Sequence, residues 1–302
     1  MSLFSLLGAL EIGLIFSLVA LGVLISFRIL NFPDLTVDGS FPMGGAVAAT
    51  LIAGGHDPFM STLGGTLAGA VAGFITGWLN VRLKIMDLLA SILMMIALYS
   101  VNLRIMGKPN VPLISEPTIF SLLQPEWMPD YVFRPVLLGV VVVVVKLLVD
   151  WFFSTQIGLS LRATGANPRM ARAQGVATGA ATLAGMALSN ALVALAGALY
   201  AQTQGGADVS MGIGTIVIGL AAVIIGETVL PARRLVLTTL AVVVGAILYR
   251  FFIALALNSD FIGLQAQDLN MVTAALVVIA LVLPGVRRKV FGKLAKNGTK
   301  GN

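Results

Sequence analysis

Long apolar runs, some of them without any charged residue, recur along the whole chain. Ala180–Tyr200 and Leu269–Leu283 contain no Asp, Glu, Lys or Arg, and Val136–Leu148 contains Lys146 alone. A helix needs about 20 apolar residues to cross the hydrocarbon core of a bilayer. Only 11% of the 302 residues are charged, whereas a water-soluble domain carries roughly 25%. Because the alternation of a membrane β-barrel is also absent, we predict an all-α polytopic membrane protein.

The apolar runs define candidate transmembrane helices, about eight to ten in number. The second candidate is shorter than a full span. No small-residue cleavage site follows the first run, so we interpret it as a retained helix and not as a signal peptide. The spans are predicted at residues 5–27, 41–54, 60–81, 85–106, 135–153, 180–200, 212–230, 235–254 and 269–286.

Lys and Arg are distributed unevenly among the loops between these spans. Most of the 19 basic residues fall in alternate loops and in the tail 287–302, while the loops 202–211 and 258–268 contain none. Basic loops stay in the cytoplasm, so we expect the C-terminus and the loop around Arg162 to lie there. Anionic lipid is then the partner of the excess positive charge, and we expect no nucleic acid partner.

Two polar stretches interrupt the apolar pattern in a similar way. Asn31–Pro42 and Gly205–Gly214 each contain an Asp, an aliphatic residue and a hydroxyl residue before a helix rich in small residues. They fall on opposite sides of the predicted membrane, as an inverted repeat with broken helices requires, and transporters often bind substrates at such breaks. Asp34 and Asp208 are candidates to cap the helices that follow; the alternative is that both are ordinary capped loops. The pathway candidates in these stretches are Asp34, Thr36, Asp38, Asp208 and Ser210.

Glu227 is a sixth pathway candidate. It lies near the end of an apolar run and close to Arg233 and Arg234. One interpretation is an ion pair with these arginines at the inner membrane surface. The other is a gating or substrate-binding role, because a carboxylate within a membrane is costly and is usually placed for function.

The loop 155–178 is longer and more polar than a connection between two membrane helices needs. Asn167 followed by Pro168 is typical of a helix start, with Asn as the cap and Pro in the first turn, and Gly175 is suited to end that helix. We interpret the short helix as a docking surface for another protein, and the alternative is an amphipathic turn on anionic lipid. The candidate docking residues are Arg162, Gly165, Asn167, Pro168, Arg169, Ala171, Arg172 and Gly175.

Over about residues 10–285 the chain resembles the permease subunits of ABC importers for branched-chain amino acids and ribose-like sugars. The resemblance rests on Gly158–Val176, Ala68–Gly77, Leu83–Met95 and Asn31–Gly39. The last of these is most similar to a subgroup associated with tryptophan or tyrosine. One departure is the sequence Gly-Glu-Thr around Glu227, where the family commonly has Gly-Gly-Thr.

The resemblance implies a fold like that of type II ABC importers, with one permease domain over residues 1–286 and a basic cytoplasmic tail at 287–302. It implies that Gly158–Val176 couples the chain to a cytosolic ATPase. An extracytoplasmic binding protein would deliver a small solute, an amino acid and in the nearest subgroup an aromatic one. Two permease copies would form a homodimer in the bacterial inner membrane; the alternative is one copy with a related partner.

The chain shows no sequence features of an enzyme. It has no Gly-x-x-x-x-Gly-Lys-Ser/Thr sequence to cradle nucleotide phosphates, no cysteine, and a single histidine, His56, in a turn-like stretch. We therefore expect no bound cofactor or metal, with ATP and Mg²⁺ held by the partner ATPase. The alternative function is an ion-coupled secondary transporter that uses acids such as Glu11 and Asp87, but such a carrier does not need the loop 155–178.

Overall fold

The computed structural model describes residues 3–126, 128–231 and 234–257, together with residues 275 and 278. Most of the described chain is helical. The elements, in chain order, are α1 (Leu3–Val23) continued by a π-helical turn (Leu24–Ile29), α2 (Val37–Ala53), α3 (Pro58–Leu83), α4 (Asp87–Met106), β1 (Asn110–Pro112), α5 (Ile119–Leu123), α6 (Asp130–Ser154), α7 (Gln156–Ala166), α8 (Pro168–Ala173), α9 (Thr178–Thr203), β2 (Gly206–Asp208), α10 (Thr215–Val229) and α11 (Leu235–Leu257).

Six of the described helices are long and apolar enough to cross a bilayer. These are α1 with its π-helical turn, α3, α4, α6, α9 and α11, while α2 and α10 are apolar but shorter. They coincide with the predicted spans, and the prediction of an all-α polytopic membrane protein is confirmed. The span predicted at 269–286, apart from residues 275 and 278, and the tail 287–302 lie outside the described residues.

α2 begins at Val37 and not at the predicted residue 41, with Pro42 inside the helix. A proline within a helix leaves the carbonyl of the residue four positions earlier, here Asp38, without its helical hydrogen bond. The second broken segment packs against this gap: a Cβ on Gly212 would lie 2.1 Å from the Asp38 oxygen and 2.4 Å from Pro42 Cδ. Only glycine fits so close, so the backbone at 212 packs directly on α2 where Pro42 leaves this carbonyl free.

α9 lies at the centre of the bundle and packs on α1, α2 and α3. Small residues allow these backbones to approach closely. A Cβ on Gly44 would lie 1.9 Å from the Ala194 oxygen, and one on Gly197 would lie 1.9 Å from the Phe41 oxygen. The side chains of α1 and α9 form much of the buried core, whereas α3, α4 and α6 expose rows of large apolar side chains. Such rows suit contact with lipid or with another protein chain better than contact with water.

The two ends of the bundle differ in structure. α7 and α8 lie against α6 and the first turns of α9, and we call this the α7–α8 end. At the opposite end, which we call the sheet end, β1 and β2 pair antiparallel with Val111 opposite Ala207. α9 connects the two ends.

Each of the two broken segments enters from a different end. The first, residues 30–36, leaves the α7–α8 end and brings Asp34 to Asn190, which lies about 18 Å along α9 from Thr178. The second, residues 204–214, enters from the sheet end and places the start of α10 beside Asp38, in the first turn of α2. The short helices α2 and α10 therefore begin near the middle of the bundle and run to opposite ends, which is the arrangement that an inverted repeat requires.

Candidate functional site

A network of buried hydrogen bonds holds the first broken segment. Asp34 accepts hydrogen bonds from the Thr36 backbone N–H at 2.9 Å and from the Asn190 amide at 2.8 Å. The Ser40 hydroxyl donates to Asn190 Oδ1 at 2.7 Å, and the hydroxyls of Thr36 and Thr76 lie 2.9 Å apart. Non-helical backbone is tolerated at membrane depth only where the protein satisfies its polar groups, and these side chains do so.

Asp34 and Thr36, two of the pathway candidates, are closed to solvent in the described chain, with exposures of 1% and 0%. The prediction that Asp34 caps α2 is wrong. The cap position is Thr36, whose side chain makes no capping bond. Asp34 turns back on the Thr36 N–H and pairs with Asn190 in α9, so its carboxylate holds the broken backbone and does not cap the helix after it.

Asp38 links the two broken segments. Its carboxylate accepts hydrogen bonds from the Gly214 N–H at 3.2 Å and from the Ile216 N–H at 2.8 Å. A side chain of α2 therefore satisfies the free N–H groups at the start of α10. We expected Asp208 in this role, and that prediction is wrong: the cap position of α10 is Gly214, with a φ of +82° and no side chain, so Asp38 supplies the acceptor.

Asp208 and Ser210 lie at the surface of the sheet end. The Ser210 backbone N–H donates to Asp208 Oδ1 at 2.8 Å, and the Ser210 hydroxyl donates to the same oxygen. The hydroxyl bond holds the pKa of Asp208 below its usual value, so this carboxylate is ionised at neutral pH. The structure thus separates these two candidates from Asp34 and Thr36, which lie at mid-depth.

A cavity of about 400 Å³ opens between α2, α4 and the second broken segment. This volume lies within the range of about 300–1,000 Å³ found for small-molecule sites. Asp38 is the pathway candidate that borders it. The lining residues include Asp38, Pro42, Met95, Tyr99, Asn102 and Ile213.

At the opposite end, the prediction of a short helix between Asn167 and Gly175 is confirmed. Asn167 Oδ1 accepts a hydrogen bond from the Met170 N–H at 3.1 Å, and Pro168 is the first residue of α8. Gly175 follows α8 with a φ of +83°. Ala171 is buried whereas Arg169 and Met170 are exposed, so α8 presents a basic and apolar surface at its tip.

α7, which the sequence did not predict as a helix, packs against the start of the first broken segment. A Cβ on Gly165 would lie 1.8 Å from the Ile29 carbonyl oxygen and 2.9 Å from Leu30 Cα. The Leu30 and Leu161 side chains both pack on Gly185 of α9. The backbone of α7 is therefore in direct contact with the residues where the π-helical turn ends and the break begins.

The ion-pair partner of Glu227 is Arg28. Arg28 Nε lies 2.9 Å from Glu227 Oε1, and the pair joins the end of the π-helical turn to the end of α10. We expected a pair with Arg233 or Arg234. Glu227 turns toward the π-helical turn and not toward Arg234, so the prediction is wrong for Arg234. Arg233 lies outside the described residues. The pair borders a cavity of about 600 Å³, which is also lined by Arg162 and Gly165 of α7.

Sequence reasoning missed several polar residues inside the apolar runs. Asn190 and Asn102 both lie within predicted spans and are fully buried. A buried amide in an apolar helix is itself a signal, because polar groups inside a membrane are usually paired or functional. Among the residues that the structure describes, no group of three or more His, Cys, Asp or Glu side chains could hold a metal ion.

Comparisons with known proteins agree with this architecture. The family model described as "Branched-chain amino acid transport system / permease component" matches residues 5–282. The chain is 39% identical to a tyrosine transport system permease protein of Clostridioides difficile over 274 residues, which are 90% of this chain and 88% of that protein. It is 34% identical to an uncharacterized protein of Rickettsia prowazekii over 211 residues, which are 69% and 72% of the two chains. No solved structure matches. The resemblance seen in the sequence is confirmed, and the chain belongs to the family of permease components of branched-chain amino acid transport systems.

Proposed function

We propose that this chain is the membrane-spanning subunit of an ATP-driven importer that takes up an amino acid with an aromatic side chain. The family match supports amino acid transport. The relative that is 39% identical is described as a tyrosine permease, which supports an aromatic substrate. The observation that carries ATP coupling is the contact between α7 and the first broken segment, at Gly165 and Ile29.

In this proposal α8 docks on a cytosolic ATPase, and α7 transmits the movement. Only Asn167 separates α7 from α8, so a shift of α8 must displace α7. Because the α7 backbone contacts the Ile29 carbonyl without space for a side chain, that displacement passes to the first break. From there α2 carries it to the start of α10 through the Asp38 hydrogen bonds.

The Arg28–Glu227 ion pair closes the α7–α8 end in this proposal. The two side chains are 63% and 34% exposed, and an exposed ion pair contributes only about 0–1 kcal/mol. A small movement of α7 against the π-helical turn can therefore break the pair. Breaking the pair would separate the end of α10 from the π-helical turn and release the substrate through the open cavity that it borders.

The same proposal assigns the partners. The α7–α8 end faces the cytoplasm of a bacterial cell, where the ATPase binds ATP and Mg²⁺. The sheet end faces outward and receives substrate from an extracytoplasmic binding protein. Two copies of the chain form a homodimer through the exposed apolar faces, and the tail 287–302 is cytoplasmic.

Uptake in proteoliposomes tests the proposal. The chain would be reconstituted with the ATPase and binding protein encoded beside it, and uptake of labelled L-tyrosine would be followed. We expect uptake to require ATP and the binding protein, and to stop with vanadate. Uptake that survives vanadate but is abolished by an ionophore would overturn the proposal in favour of an ion-coupled transporter.

Docking through α8 can be tested separately, by measuring how much ATPase is recovered with a tagged chain. Arg169→Ala combined with Arg172→Ala should reduce recovery of the ATPase with the tagged chain. Arg82→Ala combined with Lys84→Gln changes two exposed basic residues, one in the last turn of α3 and one directly after it, and should leave this recovery unchanged. Equal recovery with both pairs of variants would exclude α8 as the docking helix.

A further inference from the structure

The cavity between α2 and α4 combines hydrogen-bond acceptors with apolar walls. Asp38 is the one charged residue among the described residues that line it. Met95 and Tyr99, one helical turn apart on α4, form part of the wall, and Ile213 of the second broken segment lies in the lining as well. Tyr99 and Ile213 are 54% and 75% exposed, so the cavity opens to the outside of this chain.

Asn102 is the unusual residue of this cavity. Its side chain is fully buried, and its amide Nδ2 donates to the Gly39 carbonyl at 3.1 Å. Its Oδ1 has no hydrogen-bond partner in the part of the chain that the structure describes. A buried acceptor without a partner is rare and costly in a folded protein. Asn102 also lines the cavity, so a small rotation of its buried side chain would present this acceptor to a donor on a molecule bound there.

Asp38 provides a second acceptor beside Asn102. Its carboxylate receives the N–H groups of Gly214 and Ile216, but an ionised carboxylate has about four acceptor positions. Gly39, which receives the Asn102 amide, is the next residue in the chain, so the Asn102 amide group lies beside the Asp38 backbone, and both residues line the cavity. A negative charge and an orphan acceptor together suit an ammonium group.

The cavity is unsuited to face lipid. An ionised carboxylate at a hydrocarbon boundary would be costly. The exposed apolar side chains around it are instead suited to the side chain of a ligand that enters from an aqueous pathway. The part of α4 that borders this cavity near Tyr99 therefore suits contact with a bound ligand better than contact with lipid.

We propose that this cavity is an amino acid subsite of the translocation pathway, in which Asp38 and Asn102 Oδ1 bind the substrate ammonium group. Met95, Tyr99 and Ile213 contact its apolar or aromatic side chain. This assignment rests on the proposed function and deepens it, because it names the group by which the membrane subunit recognises its substrate.

Cysteine labelling tests the subsite without ATP or a partner. The chain contains no cysteine, so Ile213→Cys introduces a single thiol at the cavity, and its rate of reaction with N-ethylmaleimide can be measured on the full chain in lipid nanodiscs. L-Tyrosine and tyramine should slow labelling, whereas 3-(4-hydroxyphenyl)propanoate, which lacks the amine, should not. The same comparison can be made with an aliphatic side chain, between L-leucine and 4-methylpentanoate, which is leucine without its amine. Ile114→Cys, at an 88% exposed position after β1 at the sheet end, should label at the same rate with and without any of these compounds.

A second substitution identifies the acceptor. Asn102→Leu added to Ile213→Cys should raise the half-protecting concentration of tyramine about tenfold, the effect of one lost hydrogen bond to a charged group. Asn110→Leu, which removes an exposed amide at the sheet end, should leave the half-protecting concentration unchanged.

Protection that is absent, or equal with and without the amine, would overturn the subsite even if ATP-driven uptake is observed. Amine-dependent protection without ATP-driven uptake would instead support the subsite and contradict the proposed function.

Discussion

Asp34 shows how a carboxylate is accommodated at mid-depth in the bundle. It is 1% exposed and has no basic partner among its hydrogen bonds, which come from the Thr36 N–H and the Asn190 amide. Two donors that are held in place compensate for the loss of water around the group. The same bonds fix the course of the chain from the π-helical turn to α2.

Replacing Asp34 should therefore destabilise the protein without any change at its surface. In Asp34→Ala the Thr36 N–H loses its acceptor, and an unsatisfied buried donor costs about 1–3 kcal/mol. Thermal unfolding in detergent should detect this loss. Asp208→Ala removes a carboxylate from the partly exposed turn at the sheet end and should change stability by no more than about 0.5 kcal/mol. Similar losses in both variants would contradict a structural role specific to Asp34.

The Arg28–Glu227 pair is expected to affect closure more than stability. Glu227→Gln should raise ATP-independent leak of labelled tyrosine from loaded proteoliposomes by about fivefold, the equivalent of an exposed ion pair of about 1 kcal/mol. The exchanged pair, Arg28→Glu with Glu227→Arg, should restore low leak. Asp130→Asn, which removes the carboxylate of the exposed Arg134–Asp130 pair, is the matched control and should have no effect. A leak that the exchange does not reverse would exclude the ion pair as the closure.

At the scale of elements, the long helices were predictable and the ends of the short ones were not. α3 and α9 follow directly from the length of their apolar runs, because hydropathy alone decides whether a helix can span a bilayer. Gly212 packs on α2 at Pro42 from a distant part of the sequence. The cap of α10 depends on Asp38, which is distant in sequence. Such contacts between segments leave no local pattern in the sequence.

The candidate sites were predictable to different degrees for the same reason. The α8 helix was predicted correctly because its signals, Asn167, Pro168 and Gly175, each act on neighbouring residues in the sequence. α7 was missed because its small and polar residues resemble a loop. Arg28 as the partner of Glu227, and Asn190 as the partner of Asp34, required the three-dimensional packing of α1, α9 and α10.

At the scale of the whole molecule, the two short helices connect the ends of the bundle. α2 and α10 start beside each other near the middle and run to opposite ends, joined there by Asp38. The α7–α8 end contacts the first break at Gly165 and meets the end of α10 through Arg28 and Glu227. A movement imposed on α8 can therefore reach both breaks without unfolding any long helix.

The coupling ratio of Gly165 variants tests this mechanism most directly. In Gly165→Ala the new Cβ would lie 1.8 Å from the Ile29 oxygen, so α7 must shift away from the break. Gly139→Ala, where nothing lies within 4 Å of an added Cβ, is the matched control.

Both variants would be reconstituted with the ATPase and binding protein, and tyrosine uptake and ATP hydrolysis would be measured together. We predict that Gly165→Ala still hydrolyses ATP but transports much less tyrosine per ATP, while Gly139→Ala keeps the wild-type ratio. A wild-type ratio in a folded Gly165→Ala protein would contradict coupling through α7.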